Sequence, residues 1–183
     1  RAALDDIINY IVDDMRQVLL APHKRMDIVD GDLRSDGKAS VKVDDNPQGI
    51  ELLEMELPVH RITPQVADKL NFVRYLMEKT VELRTKFGMF VSMEMSRRTF
   101  INSIIGSKDF GEFYKQSFDS KEVQLSAGLM SSEMATTIFR GLGLPPIVIN
   151  EDLVELSDGT FKQVFKDNRI SLFTTPKQGK MRW

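Results

Sequence analysis

The sequence predicts a mixed α+β fold. Residues 2–20 carry apolar side chains at spacings of three and four, which is the period of an amphipathic helix. Short apolar segments bounded by Asp, Gly, Asn and Pro follow, a pattern typical of a small antiparallel sheet. Hydrophobic residues make up 42% and charged residues 28% of the chain. This composition is that of a packed globular protein, so we expect helices and strands around a buried core.

The composition excludes several kinds of chemistry. The chain has no Cys and only two His, His23 and His60, so a disulfide, a thiolate zinc site and a cysteine nucleophile are impossible and a catalytic triad has little material. A net charge of −2 gives no general attraction to nucleic acid or to anionic lipid. No window reaches about 18 uninterrupted apolar residues, so we expect no membrane span. We expect no catalytic, cofactor-binding or metal-binding residues, and a protein that is not an enzyme.

The first part of the chain predicts a helix followed by a sheet. The helix is expected over residues 2–20, with Pro22 shortly after its end. Strands are expected over residues 26–29, 39–43 and 50–57, because turn-forming residues separate these apolar runs.

The middle of the chain predicts a second long helix and a buried strand. Thr63 is the expected N-cap of the helix, and Gly88 is its expected C-terminal stop. A strand over residues 89–95 leads to Ser96, which we expect to cap a short helix. Residues 106–128 mix aromatic and polar side chains, and we expect them to be irregular and the most mobile part of the chain.

The last part predicts one helix and several strands. A helix is expected over residues 131–140, where Ser and Glu begin it and glycines end it. A strand is expected at residues 147–149, a hairpin turn at Ser157-Asp158-Gly159, and a last strand at residues 170–174.

Four acidic residues, Asp27, Asp30, Asp32 and Asp36, fall in a predicted loop and could offer oxygen ligands to calcium. An EF-hand loop that starts at Asp30 fails, because Arg34 occupies its fifth position. We therefore favour turn chemistry, in which Asp and Gly recur because their side chains and backbone form local hydrogen bonds.

The hydroxyl and imidazole side chains lack the context of a nucleophilic site. Ser96, Ser131 and Ser132 lie outside any Gly-x-Ser-x-Gly elbow, and each suits a helix cap. His60 is predicted to be a hydrogen-bonded structural histidine.

Two further features of the sequence are a basic point, formed by the adjacent Arg97 and Arg98, and a high Met content. Arg97 and Arg98 could bind a carboxylate or a phosphate, and we favour a solvated helix start with a salt bridge between subunits. The ten Met residues are predicted to fill the core.

The order of motifs from Met130 onward carries a family resemblance. A helix leads to Gly143-Leu144-Pro145-Pro146-Ile147, then to Ser157-Asp158-Gly159, then to Asp167-Asn168-Arg169-Ile170-Ser171-Leu172, and Pro176 and Gly179 follow. This run resembles the C-terminal part of tailed-bacteriophage major capsid proteins. The predicted long helix and small sheet at the start are similar to the spine helix and peripheral sheet of that fold, so the resemblance covers most of the chain.

The resemblance implies a phage-capsid-like fold with a long spine helix, a small peripheral antiparallel sheet and a mixed α/β axial domain. Residues 1–59 would form the spine helix and peripheral sheet, residues 60–173 the axial domain, and residues 174–183 the start of a return to the peripheral region. In that family the peripheral sheet takes back a late strand, and an N-terminal arm and an extended loop precede the spine helix. We therefore expect a core fragment that runs as a monomer or small oligomer.

The function that the resemblance implies is physical. The protein would be a structural subunit of a phage or prophage capsid shell that encloses packaged DNA, and it would self-assemble without catalysis or cofactors. Its partners would be copies of itself in pentameric or hexameric rings, with scaffold or decoration proteins as further candidates, only non-specific contact with DNA and no membrane. Its location would be the virion, assembled in the bacterial host cytoplasm.

Two alternatives of other classes stay open. The first is a small soluble hydrolase-type enzyme domain, in which His60 pairs with Ser96 or with acids of residues 27–36. The second is a ligand-binding or adaptor module that uses the aromatic stretch at residues 110–118.

Overall fold

A computed structural model describes residues 2–40, 54–64, 69–118, 132–156 and 159–175. Helices and strands are mixed along the chain, which confirms the predicted α+β class. The elements run in the order α1 (Ala2–Asp36), β1 (Lys38–Ser40), β2 (Glu54–Glu56), α2 (Phe72–Phe87), β3 (Ser92–Ser96), α3 (Arg97–Thr99) with a π-helical continuation (Phe100–Ile105), α4 (Lys108–Phe118), α5 (Ser132–Gly141), β4 (Ile147–Asn150), β5 (Leu153–Glu155), β6 (Phe161–Gln163) and β7 (Ile170–Phe173).

The chain divides into two compact units, and each is built from two separate segments. The first unit comprises Arg1–Pro58 and Asp152–Phe165, and the second comprises Val59–Glu151 and Lys166–Trp183. Residues 152–165 thus group with the N-terminal helix, although the domain boundaries expected from sequence placed them in the axial segment.

In the first unit, α1 is much longer than predicted. It continues through Pro22 to Asp36, so the strand expected over residues 26–29 and the loop expected to hold four aspartates are both helical. A proline inside a helix removes one backbone hydrogen bond and costs about 3 kcal/mol. The distal half of α1 offsets this cost through tertiary packing, because Val29 and Ser35 are buried and this half contacts β1 and β5.

Gly31 lies where α1 touches the segment that follows β6. A Cβ atom added at Gly31 would lie 2.2 Å from the backbone oxygen of Val164. Val164 is itself buried, and its N–H donates to the carbonyl oxygen of Asp152 over 2.9 Å. Glycine is therefore required at position 31 for close approach of two backbones, and not for the turn that the sequence suggested.

The described part of the first unit also contains two small antiparallel strand pairs. Gly37, with φ of 68°, ends α1 and leads into β1, which pairs with β2 as predicted. The predicted hairpin is present as the antiparallel pairing of β5 with β6, and Gly159 has φ of 78°. Ser157 and Asp158 of the predicted turn lie outside the described residues.

In the second unit, α2 starts later than predicted and ends where predicted. Thr63 is exposed and non-helical, and the helix begins at Phe72, where its buried stripe starts. Gly88 has φ of 87°, and its N–H donates to the carbonyl oxygen of Arg84, so the predicted glycine stop is confirmed.

A three-stranded mixed sheet lies at the centre of the second unit. β3 is its middle strand, parallel to β4 and antiparallel to β7. Met93 and Met95 are fully buried on one face of β3, in accord with the predicted core role of Met, whereas Met89 just before the strand is 68% exposed. The described core on this face is a cluster of fifteen buried residues drawn mainly from α2, β3, the π-helical turn, α4 and α5.

The stretch expected to be irregular forms α4 over Lys108–Phe118. Phe110 and Tyr114 lie one helical turn apart and are both buried, and the ring of Phe110 packs edge-on against Phe139 with 6.4 Å between centroids. The expectation of an irregular chain is therefore wrong for these residues, and residues 119–128 lie outside the described ranges. α5, β4 and β7 appear close to their predicted positions.

In the described ranges, none of the helices combines the length and the apolar character that crossing a bilayer requires.

Candidate functional site

The candidate functional site lies at the carboxyl ends of β3 and β4. The two strands are parallel, and Ser96 at the end of β3 lies opposite Asn150 at the end of β4. Ligands of open α/β sheets bind beyond the carboxyl ends of the strands, because loops and helix starts converge there. Polar residues from β3, α3 and the turn before β7 meet at this edge, and we call them the Ser96–Asp167 cluster: Ser96, Arg98, Thr99, Asp167 and Asn168.

Ser96 is the centre of this cluster. Its Oγ accepts a hydrogen bond from the Thr99 N–H over 3.2 Å, so the predicted role of Ser96 as a helix cap is confirmed. The same Oγ donates to Asp167 Oδ1 over 2.6 Å and lies 2.9 Å from Thr99 Oγ1. Ser96 is fully buried, and its hydrogen bonds with Thr99 and Asp167 fix the position of its hydroxyl.

The Asp167-Asn168 turn is docked on this helix start. Asn168 adopts a left-handed conformation with φ of 57°, which Asn tolerates better than most residues, and its N–H donates to Thr99 Oγ1 over 2.8 Å. The second carboxylate oxygen of Asp167 faces Arg98 Nη1 at 3.4 Å. The Asp-Asn sequence before β7 therefore joins the last strand to the start of α3.

The described contacts of Ser96 are those of a helix cap that is bonded to a carboxylate. A serine nucleophile needs a general base that is itself oriented by a third group. Ser96 donates instead to a carboxylate that also faces an arginine, and the described ring contact of His60 is with Phe87, at 5.7 Å between centroids. The described contacts thus do not join His60 to Ser96, as the hydrolase alternative requires.

A buried carboxylate that the sequence analysis missed lies on β3 itself. Glu94 is 4% exposed and accepts a hydrogen bond from Asn150 Nδ2 over 3.0 Å. A buried acid needs such a partner, because a desolvated charge without one is costly. The signal in the sequence was a single Glu between Met93 and Met95, in a strand otherwise expected to be buried.

The four aspartates of the calcium hypothesis lie on α1 and not in a loop. Asp30 pairs with Arg34 one turn later, with 2.8 Å between Oδ2 and Nε. Among the residues that the structure describes, no group of three or more His, Cys, Asp or Glu has the arrangement of a metal site. The helix places Asp27 and Asp30 beside Asp152 instead.

These carboxylates line a cavity of about 340 Å³ within the first unit, which we call the acidic recess. Its walls come from α1, β5 and the residue after β6: Asp27, Asp30, Arg34, Asp152, Leu153, Val154 and Val164.

The predicted basic point has partners within the chain. Arg97 Nε lies 3.6 Å from Glu151 Oε1, and Arg98 faces Asp167, so both arginines have acidic partners within the chain, whereas the expected salt bridge was one between subunits. Both arginines remain substantially exposed. Of the two other serines considered as nucleophiles or caps, Ser132 is the first residue of α5, and Ser131 lies outside the described residues.

The aromatic stretch of the adaptor alternative does not form an exposed groove at its core. Phe110 and Tyr114 are buried in the second unit, and Phe113 lies under the guanidinium of Arg74 at 5.8 Å. Phe110 and Tyr114 are therefore engaged in packing within the chain.

No protein-family model matches this chain, and no curated protein is significantly similar to it in sequence.

Proposed function

We propose that this protein is a structural subunit of a phage or prophage capsid shell, and that it works by self-assembly without catalysis. The observation that carries the proposal is the discontinuous first unit, in which residues 152–165 return to the long N-terminal helix α1. The capsid proteins that the sequence resembles combine a spine helix with a peripheral sheet that takes back a late strand. Here the late strands β5 and β6 return to α1 and pair with each other, in a sheet separate from the β1–β2 pair. This late return to a long N-terminal helix favours that fold over an unrelated α+β domain.

The second unit supports the same proposal. The resemblance implies a mixed α/β axial domain, and this unit has a mixed sheet in the order β4-β3-β7, packed against α2, α4 and α5. The Asp-Asn motif that contributed to the resemblance has a physical role in it, since Asp167 and Asn168 fasten β7 to the capped start of α3.

The arrangement of polar groups favours a structural role over the hydrolase alternative. Ser96 is buried and bonded to Asp167, and Glu94 is buried and bonded to Asn150. Groups held in this way stabilise a fold, whereas a reactive group needs access to substrate.

In the proposed function, copies of the chain meet through unlike surfaces and close into rings of five or six, because head-to-tail contacts generate rings when the rotation closes. The rings would build a shell in the virion around packaged DNA. Scaffold and decoration proteins are further partners that such a shell would use.

The test is assembly of the purified protein. We expect light scattering to show association that rises with concentration, and negative-stain electron microscopy to show rings of five or six subunits. A chain that stays monomeric up to millimolar concentration contradicts the proposal. Ester or peptide hydrolysis that disappears in Ser96→Ala, while the variant keeps its fold by circular dichroism, would support the enzyme alternative instead.

A further inference from the structure

Two exposed apolar surfaces lie on the two units, and the first is one face of the β5–β6 hairpin. Glu155 is paired with Phe161, and Leu153 lies two residues before Glu155, so Leu153 and Phe161 share a face of the strand pair. Leu153 is 61% and Phe161 67% exposed. Large apolar side chains exposed together on a small surface are typical of a protein contact.

The acidic recess adjoins this hairpin face, because Leu153 is part of its wall. The recess contains the carboxylates of Asp27, Asp30 and Asp152 and one guanidinium, that of Arg34. At neutral pH these groups carry a net charge of −2. We call Leu153, Phe161 and the acidic recess together the hairpin surface.

The second apolar surface lies at the end of α2. Residues 88–91 lead from α2 into β3, and Phe87, Met89 and Val91 are 50%, 68% and 41% exposed, whereas Phe90 between them is buried. Met89 and Val91 flank the buried Phe90 and therefore lie on one side of the backbone, and Phe87 is the last residue of α2, just before them. We call Phe87, Met89 and Val91 the α2-end surface.

Positive charge surrounds the α2-end surface. Arg84 and Lys86 lie in the last turn of α2, and Arg61 adjoins His60, whose ring contacts Phe87. The nearby acid in this part of α2 is Glu82, which bonds to Lys79 and Lys86. Arg61, Arg84 and Lys86 together with Glu82 carry a net charge of +2, and Lys79, which bonds to Glu82, adds a further positive charge.

We propose that the hairpin surface of one copy docks on the α2-end surface of a second copy. The apolar trio would cover Leu153 and Phe161, and Lys86, which adjoins Phe87, would point into the acidic recess of the neighbour. This inference rests on the proposed shell function and names the contact that joins subunits in a ring.

Charge complementarity selects a second copy in a head-to-tail arrangement. A symmetric contact of either surface with itself would oppose like charges, which raises the free energy of the complex. Joining the two unlike surfaces opposes −2 and +2, and the apolar side chains on both sides remove each other from water. A head-to-tail contact leaves one surface of each kind free at the ends of a pair, so further copies can add until a ring closes.

Charge reversal tests the contact. Asp27→Lys reverses a carboxylate of the hairpin surface, and Lys86→Glu reverses the cation of the α2-end surface. We expect each single variant to weaken association by about tenfold or more in sedimentation analysis, because it opposes like charges in the contact. Lys115→Glu, which reverses an exposed charge on α4, is the matched control and should leave association unchanged.

Mixing the two single variants distinguishes contacts between copies from contacts within one chain. In a one-to-one mixture, the reversed hairpin surface of Asp27→Lys meets the reversed α2-end surface of Lys86→Glu, and the two native surfaces meet each other. We therefore expect the mixture to associate more strongly than either variant alone. The double variant should also associate, and added salt should weaken the native contact.

The outcomes separate this inference from the proposed function. If the native protein associates but neither reversal weakens it, the shell proposal stands and this contact is wrong. If only the double variant recovers and the mixture does not, the two surfaces meet within one chain and the inference is overturned. If the native protein does not associate at any concentration, both proposals fail. Circular dichroism melting curves of each variant verify that a loss of association is not a loss of fold.

Discussion

Gly31 allows the backbone of α1 to lie close to the backbone of Val164. We predict that Gly31→Ala destabilises the protein by about 2 kcal/mol, because forcing a methyl group into a packed contact costs about 1–3 kcal/mol or more while alanine returns only about 1 kcal/mol of helix propensity. The methyl group would meet the backbone oxygen of Val164, which cannot rotate away as a side chain could.

The matched control for Gly31→Ala is Gly141→Ala. A Cβ atom at Gly141, the last residue of α5, meets nothing within 4 Å. Urea denaturation should therefore show no loss of stability for Gly141→Ala and a clear loss for Gly31→Ala. Equal midpoints for the two variants would contradict the close approach of α1 to Val164.

Ser96 is the second residue whose replacement should be costly. Ser96→Ala removes a helix cap, worth about 0.5–2 kcal/mol, and also removes the hydrogen bond from Ser96 to the Asp167 carboxylate, worth about 1.5–3 kcal/mol. We expect a loss of about 2–5 kcal/mol in the free energy of unfolding. Thr137→Ala, which removes an exposed bond from Oγ1 to the Glu133 carbonyl, should lose far less in the same titration.

The Ser96–Asp167 cluster also marks what sequence could and could not predict at this scale. A serine between a strand pattern and a helix pattern identifies a cap, because the cap is bonded to a residue three positions away. Its bond to Asp167 joins residues 71 positions apart, and nothing in the spacing of the chain specifies that partner. The Glu94–Asn150 pair was missed for the same reason.

At the scale of elements, α1 is the most informative error. The prediction ended it before Pro22 because proline disfavours a helix interior and the Asp-Gly pairs beyond it resemble turns. Packing of Val29, Gly31 and Ser35 in the first unit outweighs that local preference.

The continuity of α1 predicts the effect of replacing Pro22. Pro22→Ala should stabilise the protein by about 1–3 kcal/mol, because alanine restores a helical hydrogen bond and favours the helix, although part of the gain is lost to a more flexible unfolded chain. Thermal denaturation measures the shift. A lower melting temperature for Pro22→Ala would mean that α1 uses a kink at this residue that a regular helix cannot supply.

Helix ends that a local glycine specifies were predicted well, whereas the helices whose limits depend on tertiary packing were not. Gly88 and Gly143 have positive φ, and both ended their helices where the sequence indicated. The start of α2 was placed too early, because Thr63 and Pro64 form a good capping sequence although both are non-helical and Thr63 is exposed. α4 was missed because its polar residues obscured the helical spacing of Phe110 and Tyr114.

The exposed face of α2 carries a charge cluster that sets a pH dependence. Hydrogen bonds from Lys79 and then Lys86 lower the pKa of Glu82 below its usual value. A carboxyl whose pKa is lower in the folded state contributes stability at a pH above its unfolded pKa, and this contribution is lost as pH falls through the folded pKa. We expect an NMR titration of Glu82 to show the lowered pKa.

Two perturbations should raise the pKa of Glu82 again. Lys79→Met removes the stronger hydrogen bond, and high salt screens the attraction between these exposed groups. An NMR midpoint that does not change with either perturbation would contradict the ion-pair geometry.

At the scale of the whole molecule, the two units differ in their described cores. The second unit contains the cluster of fifteen buried residues, whereas the described buried apolar residues of the first unit are few. Because local stability follows buried apolar packing, we expect hydrogen exchange to be slower in β3 than in the distal half of α1. Similar protection in both elements would show that the two units open together.

The discontinuous first unit has a consequence for synthesis on the ribosome. α1 ends at Asp36, and the hairpin that packs against it begins at Leu153, more than a hundred residues later. At translation rates of about 5–20 residues per second, α1 therefore waits on the order of 5 to 20 seconds for this partner. During that interval its hairpin-facing side is uncovered, which gives chaperones a defined period in which to bind the nascent chain.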